Sequence, residues 1–426
     1  MCAAPMLSIR LSAQKKQRSP AEIAPDHTIR VQVNSVFVPV VVRDAQGRVV
    51  GDLKQEDFQL FDNGKPIAIA GFAVEKRAEI YAIKAAEVPN IAAGGASQPA
   101  APLGPERLPS RFIVFVFDDL HLGYGELLRV KNAAAKIFAE TMGETDMGAV
   151  VSLSGINSGL TRDVKKLQET VKKLNVQQVF RRDEHACPNI SYHQADLIQN
   201  KNSEPALQSA EADFVTCANL VGQPPSMIES VVRSAAAQSL VNGEHDMSVS
   251  MTNIREIVKK MGTLSGERTL ILISPGFFAQ TSSAMSEKSQ VLDLAARCNV
   301  TISSIDARGL YTTMIDASER GGSSARDLVT GEHAQSHADE MNFNEDVMAE
   351  LADGTGGTFF HNNNNLEGGL KSLAAAPEFV YLLQISLANV KHNGSYHSLK
   401  VKVDKKGMNT QARRGYFAPK NEKIKK

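Results

Sequence analysis

Six consecutive apolar residues, Phe112-Ile113-Val114-Phe115-Val116-Phe117, constrain this chain more than any other stretch. A strand sends successive side chains to opposite faces, so a run without a polar member needs cover on both. Ala149-Val150-Val151 with Leu153 reads as a second buried strand, and Thr269 to Ile273 and Val300 to Ile305 read as further strands. Helical periodicity fills the gaps. Leu127, Leu128, Ala134, Ile137 and Phe138 share one face, and Val164, Leu167, Val171 and Leu174 recur at steps of three and four. Residues 186–245 read as a mostly helical insertion, followed by a separate helix marked by Met251, Ile254, Ile257, Val258 and Met261. Further helices fall at Leu292 to Ala296, Val347 to Leu351 and Leu366 to Leu373, with a strand at Thr358-Phe359-Phe360. Strand and helix alternate, which predicts an α/β unit over residues 111–376: a doubly wound, mostly parallel sheet with binding loops at the carboxyl ends of its strands.

The flanks read differently. Residues 28–80 form a small β unit, in which Ile29, Val31 and Val33 alternate with polar residues and Val36, Val38, Val40 and Val42 resume one residue out of step. A bulge at Asn34-Ser35 accounts for the slip, and Pro39 points to an edge strand. Asp57 to Phe61 is a second strand, and Asp62-Asn63-Gly64 turns it into a third at Lys65 to Phe72. Twelve of the fourteen residues 92–105 are Ala, Gly, Pro or Ser, so residues 81–110 read as a linker. After the α/β unit, residues 377–418 return to strands at Phe379 to Ile385, Tyr396 to Val403 and Thr410 to Phe417, with Asn393-Gly394 as a hairpin turn between the first two. Isolated hairpins are marginal, so these strands are expected to pack beside residues 28–80 and complete an antiparallel β-sandwich formed by both ends of the chain.

A length of 426 residues suits two or three domains, and 22% charged residues excludes a wholly disordered chain. No apolar stretch reaches the roughly twenty residues of a membrane span. The 47 basic and 47 acidic residues cancel, which disfavours a dedicated nucleic-acid binder. That balance is segmental: +3 over residues 1–30, +9 over 391–426 and −12 between them. The basic tail, 419–426, lacks interleaved aromatics and reads as a solvated end. Residues 1–27 read as disordered or as a remnant signal region. Ala3 to Leu11 is apolar but broken by Arg10, and no basic segment precedes it.

Several residue sets could carry chemistry. Asp118, Asp119 and His121 follow the carboxyl end of the first buried strand, where a functional loop belongs. The plainer reading has Asp119 capping the next helix and His121 packing locally. Asp183, Glu184, His185, Cys187 and His193 are dense in ligand types, yet their spacing matches no zinc pattern. Cys187 and Cys217 are either a disulfide bracing the insertion, which requires an oxidising compartment, or two reduced thiols. Cys298, just before a strand, reads as core. Gly354-Thr355-Gly356-Gly357 precedes a strand rather than a helix, so it reads as a helix C-cap and not a phosphate loop. Ser152 and Ser154 have no recognisable base and acid partners, and Arg308 reads as a local ion pair with Asp306.

Scattered segments from 28 to 418 carry a resemblance. They include Val36 to Val42, Asp62 to Pro66, Phe117-Asp118-Asp119-Leu120-His121-Leu122, Cys187 to Tyr192 with Gln194 to Leu197, Ser274-Pro275-Gly276-Phe277, Ile305 to Leu310, and Arg414-Gly415-Tyr416-Phe417. In this order the chain resembles the von Willebrand factor type A superfamily, specifically the VWFA-related proteins abundant in Acidobacteria. The resemblance implies export, an interaction role and no established reaction. It also implies a divalent-cation site built from a D-x-S-x-S loop, a threonine and a later aspartate. Here Asp118 takes the first position, Leu120 and Leu122 replace the serines, Ser274-Pro275 replaces the later acid, and the sequence does not identify the threonine, for which Thr161 is a guess. Leucines cannot ligate a hard cation. The resulting expectation is an exported, non-enzymatic protein-binding module with a degenerate metal site and no cofactor. It would recognise a protein ligand through Asp118, Asp119, His121 and Ser274, outside the cell or in the periplasm. The alternatives are an adhesion module that holds Mg²⁺ at Asp118 and a hydrolase using the Asp183 to His193 cluster.

Overall fold

A computed structural model describes residues 35–44, 49–76, 111–143, 146–177, 187–310, 332–375, 379–388, 390 and 395–418. The strand expected at Ile29 to Val33, the bulge, the linker and the basic tail lie outside these residues.

Five strands form a parallel sheet: β5 (Arg111–Phe117), β6 (Asp146–Ser152), β7 (Glu267–Ser274), β8 (Val300–Asp306) and β9 (Phe359–Phe360). Their spatial order is β6-β5-β7-β8-β9, so the direction of winding reverses at β5. All seven residues of β5 are buried, as its apolar run requires. Ile113, Phe115 and Phe117 point to one face, where they pack with α1 (Tyr124–Thr141), α2 (Val164–Lys173) and α8 (Leu366–Ala374). Val114 and Val116 point to the other, against α5 (Pro225–Met261), α6 (Ser282–Cys298) and α7 (Glu332–Thr355). Leu128 departs from its predicted face: it is 48% exposed on α1, and Val130 and Ala133 are buried instead. The glycine-rich segment after α7 is the helix cap expected. Gly356 takes φ +77°, and the Gly357 N–H donates to the Ala352 carbonyl at 2.8 Å.

The insertion contains α3 (Tyr192–Gln199), α4 (Glu204–Cys217) and the first half of α5. It has its own small core of Ile198, Leu207, Phe214, Ile228 and Val232. The expected boundary at 245 is absent, because α5 runs unbroken for 37 residues. At 1.5 Å per residue it is about 55 Å long. Its second half places Met247, Met251, Ile254 and Val258 in the sheet core, so one rod carries the insertion. Gly243 marks the changeover: a Cβ there would meet Tyr192 Cγ at 2.2 Å. Cys187 and Cys217 form a disulfide that closes the insertion, with Cα atoms 6.0 Å apart. Cys298 is a half-buried free thiol.

The flanking strands make two four-stranded antiparallel sheets. One has the order β12 (Asn409–Ala412), β1 (Ser35–Arg43), β10 (Phe379–Ser386), β4 (Gly71–Lys76). The other has β13 (Gly415–Phe417), β11 (Tyr396–Val403), β2 (Phe58–Asp62), β3 (Lys65–Ile67). Val38, Val40, Val42, Leu60, Tyr381, Leu383, Leu399 and Val401 fill one core between them. Each sheet mixes strands from before and after the α/β unit.

Three local readings are corrected here. Pro39 is not on an edge strand, since β1 lies between β10 and β12. Proline is tolerated because β12 pairs only with Val40 to Arg43 and ends short of it. β10 and β11 do not form a hairpin; they occupy different sheets, where each finds its apolar partners on the earlier strands. The Asn393-Gly394 turn lies outside the described residues. Lys65 to Phe72 and Thr410 to Phe417 each split into two strands, and each pair divides between the sheets.

Tyr381 sits at the centre of this sandwich, fully buried against Phe58 at 5.0 Å and Phe72 at 6.0 Å. Its hydroxyl donates to the Val50 carbonyl at 2.7 Å and accepts the Leu53 N–H at 3.1 Å. Tyr381→Phe keeps the ring and strands both backbone groups. It should lower unfolding stability by about 1–3 kcal/mol in urea titration, and an unchanged midpoint would show that these bonds contribute nothing.

Candidate functional site

The site begins where β5 stops. Past Phe117 the backbone still pairs on both sides: Asp118 N–H donates to the Ile273 carbonyl at 2.9 Å, and Leu153 N–H to the Phe117 carbonyl at 3.0 Å. The two aspartates that follow then turn to opposite neighbours. The Asp118 carboxylate is fully buried and faces β7. It accepts the Ser274 hydroxyl at 2.6 Å, the His121 backbone N–H at 3.2 Å and His121 Nδ1 at 2.9 Å. An imidazole nitrogen facing a carboxylate at that distance carries the proton. Asp119, also buried, faces β6. It accepts the Ser154 N–H at 2.9 Å and the Ser154 hydroxyl, which lies 2.9 Å from the Ser152 hydroxyl. Burial raises the Asp119 carboxyl above its ordinary pKa, the Ser154 bonds oppose that rise, and the neighbouring Asp118 adds to it.

A second layer closes over this end of the sheet. The Gly276 N–H donates to Ser274 Oγ at 2.9 Å. Gly276 takes φ +84°, and a Cβ there would lie 2.2 Å from the Asn344 carbonyl, so α7 rests directly on the turn. Phe277 stacks on the His121 ring at 4.9 Å and 16°. Phe278 meets Tyr192 at 5.0 Å and His193 at 5.2 Å, and His193 also meets Phe343 at 4.8 Å. Helix α3 of the insertion therefore lids the β7–α6 turn. Burial pushes the Tyr192 phenol up to about 12. Beside this layer Arg308 pairs with Asp306 at 2.9 Å, as expected, and also with Glu345.

The structure thus brings Asp118, His121 and Ser274 into one hydrogen-bonded group and sends Asp119 to another. Asp119 does not cap α1; Gly123 starts that helix, and its N–H donates to Glu126 Oε2 at 2.9 Å. Asp118, Asp119 and Ser274 are covered, and the His121 side chain is 20% exposed. Leu120 and Leu122 are buried in the two faces of the core. Thr161 is remote from the group. Residues 157–161 fold back antiparallel along β6, placing Thr161 beside Gly148, well before the strand's carboxyl end. Asp183, Glu184 and His185 lie outside the described residues. Their expected companion Cys187 is committed to a disulfide, and His193 is buried among aromatic rings. The Ser154–Asp119 link is new. Its signal was positional, because Ser152 ends the strand adjacent to β5 and Ser154 follows it, at the carboxyl end where binding loops gather.

The connectivity limits the chemistry. Among the described residues the Ser274 hydroxyl is partnered by Asp118 and the Gly276 N–H, not by the imidazole. A serine nucleophile is activated by a hydroxyl–imidazole contact, and this arrangement routes both groups to the carboxylate instead. Among the described residues no group of three or more His, Cys, Asp or Glu side chains is placed to hold a metal ion.

No family model matches the chain. No curated protein matches it either. Among solved structures it is similar to the open conformation of the pilus adhesin SpaC from Lactobacillus rhamnosus GG, at 7% identity and a TM-score of 0.28. That likeness covers 85% of this chain and 47% of the adhesin, so the chain spans about half the adhesin's length. At that score it assigns neither fold nor activity.

Two outcomes are expected. Ser274→Ala removes a donor from buried Asp118 and the acceptor of Gly276, and should lower stability by about 1–3 kcal/mol in urea; no change would show that the group holds nothing together. His193 bears on pH. Burial keeps its pKa below the ordinary 6.5, against opposing pulls from Glu340, Asp196 and Asp339. The unfolded chain therefore takes up this proton first, and stability falls as pH drops through 6.5. His193→Leu should flatten the urea midpoint between pH 7 and 5; a parallel, unflattened curve would assign the pH dependence to other groups.

Proposed function

We propose that this chain is an exported, non-enzymatic protein-binding module built on a type A-like α/β domain whose cation position is degenerate. The observation that carries the reading is the Asp118 carboxylate. It stands after β5 at the switch point, where the type A resemblance puts its first cation ligand, and it is fully buried on donors from the protein itself. Ser274 ends the adjacent strand, in the place of the later acid, and its hydroxyl is directed at Asp118. A cation would have to displace the Ser274 and His121 hydrogens from that carboxylate, and two core leucines stand where hydroxyl ligands would be. The Cys187–Cys217 disulfide supports export, since such bonds persist in oxidising compartments. Among the described residues no helix is long and apolar enough to cross a membrane.

With the carboxylates covered, recognition falls to the rim around them. Tyr124 is 80% exposed, Leu128 48% and Leu310 59%. Tyr124 and Leu128 share a face of α1 directly after the His121 loop, and Arg129 Nη2 donates to the Arg308 carbonyl at 3.3 Å, which brings the Leu310 loop alongside. Large exposed apolar residues clustered at a loop rim suit a protein surface.

The test has two arms on the full chain. Calorimetric titration with Mg²⁺ and Mn²⁺ should give no saturable heat at millimolar ion; saturable binding abolished by Asp118→Asn would replace this reading with a cation-dependent one. A photo-crosslinker at position 124 should give a discrete adduct in material from the exporting cell, suppressed by Leu128→Asp. Labelling that is diffuse, or indifferent to Leu128→Asp, would remove the rim from the proposal.

A further inference from the structure

At the opposite end of the parallel sheet, a cavity of about 360 Å³ separates the amino ends of β5, β7 and β8 from the sandwich strands β1, β10 and β12. Its charged lining is one-sided: Arg43, Arg111, Arg268, Arg413 and Arg414 against Glu267. Two of these arginines are already matched. Arg111 Nη2 pairs with Asp146 at 2.7 Å, and Arg414 with Asp353 at 3.0 Å.

Arg111, Arg268 and Arg413 nevertheless leave capacity over. Arg111 is 5% exposed, and its Nη1 donates to the Ala374 carbonyl at 2.8 Å, but its Nε–H has no hydrogen-bond partner among the described residues. Arg268 Nη1 reaches the Gly262 carbonyl at 3.3 Å, and its buried Nε–H is likewise without a partner. Arg413 donates only to neutral acceptors: the Gly415 carbonyl at 2.8 Å, Asn299 Oδ1 at 3.4 Å and the Ala296 carbonyl at 3.4 Å. Among the described residues neither Arg268 nor Arg413 has a carboxylate within ion-pair distance. Burial lowers the Arg413 pKa, with only the Tyr396 phenol set against it.

The carboxyl ends of α6, α7 and α8 also border this cavity, and each contributes about half a negative charge. Two of them are already answered from the lining, α6 by Arg413 and α8 by Arg111. What remains are two guanidinium groups without counter-ions and two buried N–H donors without acceptors. A buried unmet donor is costly, and a guanidinium fork fits oxyanion geometry. We propose that this cavity binds a small organic anion, phosphorylated or polycarboxylated, held by Arg268 and Arg413 with the Arg111 Nε–H as a further donor. The volume stands at the lower end of the range for small-molecule pockets, about 300–1,000 Å³, which limits the ligand to a compact one. Because the lining comes from both units, the bound anion would tie the sandwich to the sheet.

Isothermal titration of the full chain with inorganic phosphate and with citrate, at constant ionic strength set by NaCl, tests this. At least one probe should bind saturably near one equivalent and raise the melting temperature. Phosphate alone identifies a phosphoryl ligand, and citrate alone a polycarboxylate; either result supports the site. Arg268→Gln and Arg413→Gln should each weaken binding about tenfold or more, whereas Arg233→Gln on the exposed face of α5 should leave it unchanged. Arg413 also anchors backbone carbonyls, so if its variant misfolds, Arg268→Gln decides. No saturable binding at millimolar probe would show that the cavity holds solvent only. Binding that survives both arginine changes would place the ion elsewhere and overturn the proposal.

Discussion

The carboxyl ends of three neighbouring strands, β6, β5 and β7, are held in register by two adjacent aspartates. Asp118 reaches Ser274 at the end of β7 and Asp119 reaches Ser154 after β6, so the end of β5 is stapled to both neighbours by side chains of consecutive residues. Both residues lie just past β5, where the chain leaves the sheet and begins a turn, so consecutive side chains can reach opposite neighbours. The cost is two buried carboxyl groups, offset by charge-assisted hydrogen bonds and by backbone pairing that continues past the strand. The layers above depend on that clamp. Ser274 also fixes the Gly276 turn, the turn seats α7, and Phe277 and Phe278 from the same turn receive His121 and the α3 lid.

The long-range plan of the fold was legible where one kind of signal ran uninterrupted. The apolar run of β5 required cover on both faces, and the sheet supplies it; the rhythm of strands and helices predicted the parallel core. Register and sheet membership were not legible. Asn393-Gly394 reads as a hairpin on local chemistry, but β10 and β11 pair with earlier strands in opposite sheets. Pro39 reads as an edge for the same reason, since its tolerance depends on where β12 happens to stop. The insertion boundary at 245 failed because helical periodicity records which face is apolar, not which partner covers it, and α5 changes partner without changing period.

At the candidate site, residue types and strand ends pointed to Asp118, His121 and Ser274, and the fold brings them together. Their exposure could not be read from the sequence, because the cover comes from α3 and α7, remote in the chain. Nor could Asp119's partner, which required knowing that β6 lies beside β5. The arginine cavity was equally hidden. Its lining is assembled from strands and helix ends of both units and is recognisable only once the sandwich meets the sheet.

One contact at that junction has a consequence for how the chain folds. Arg111 opens β5 and Ala374 ends α8, and the 2.8 Å bond between them puts the entrance and exit of the α/β unit side by side. Residues 77–378 separate β4 from β10, and pairing strands across so long a flexible loop is entropically costly and slow. Once the α/β unit has folded, that loop no longer behaves as flexible chain. To the sandwich it is a rigid body with adjacent ends, joined through residues 77–110 on one side and 375–378 on the other. The effective loop is a few tens of residues, so the central unit acts as a folding template that delivers β10 to the gap between β1 and β4.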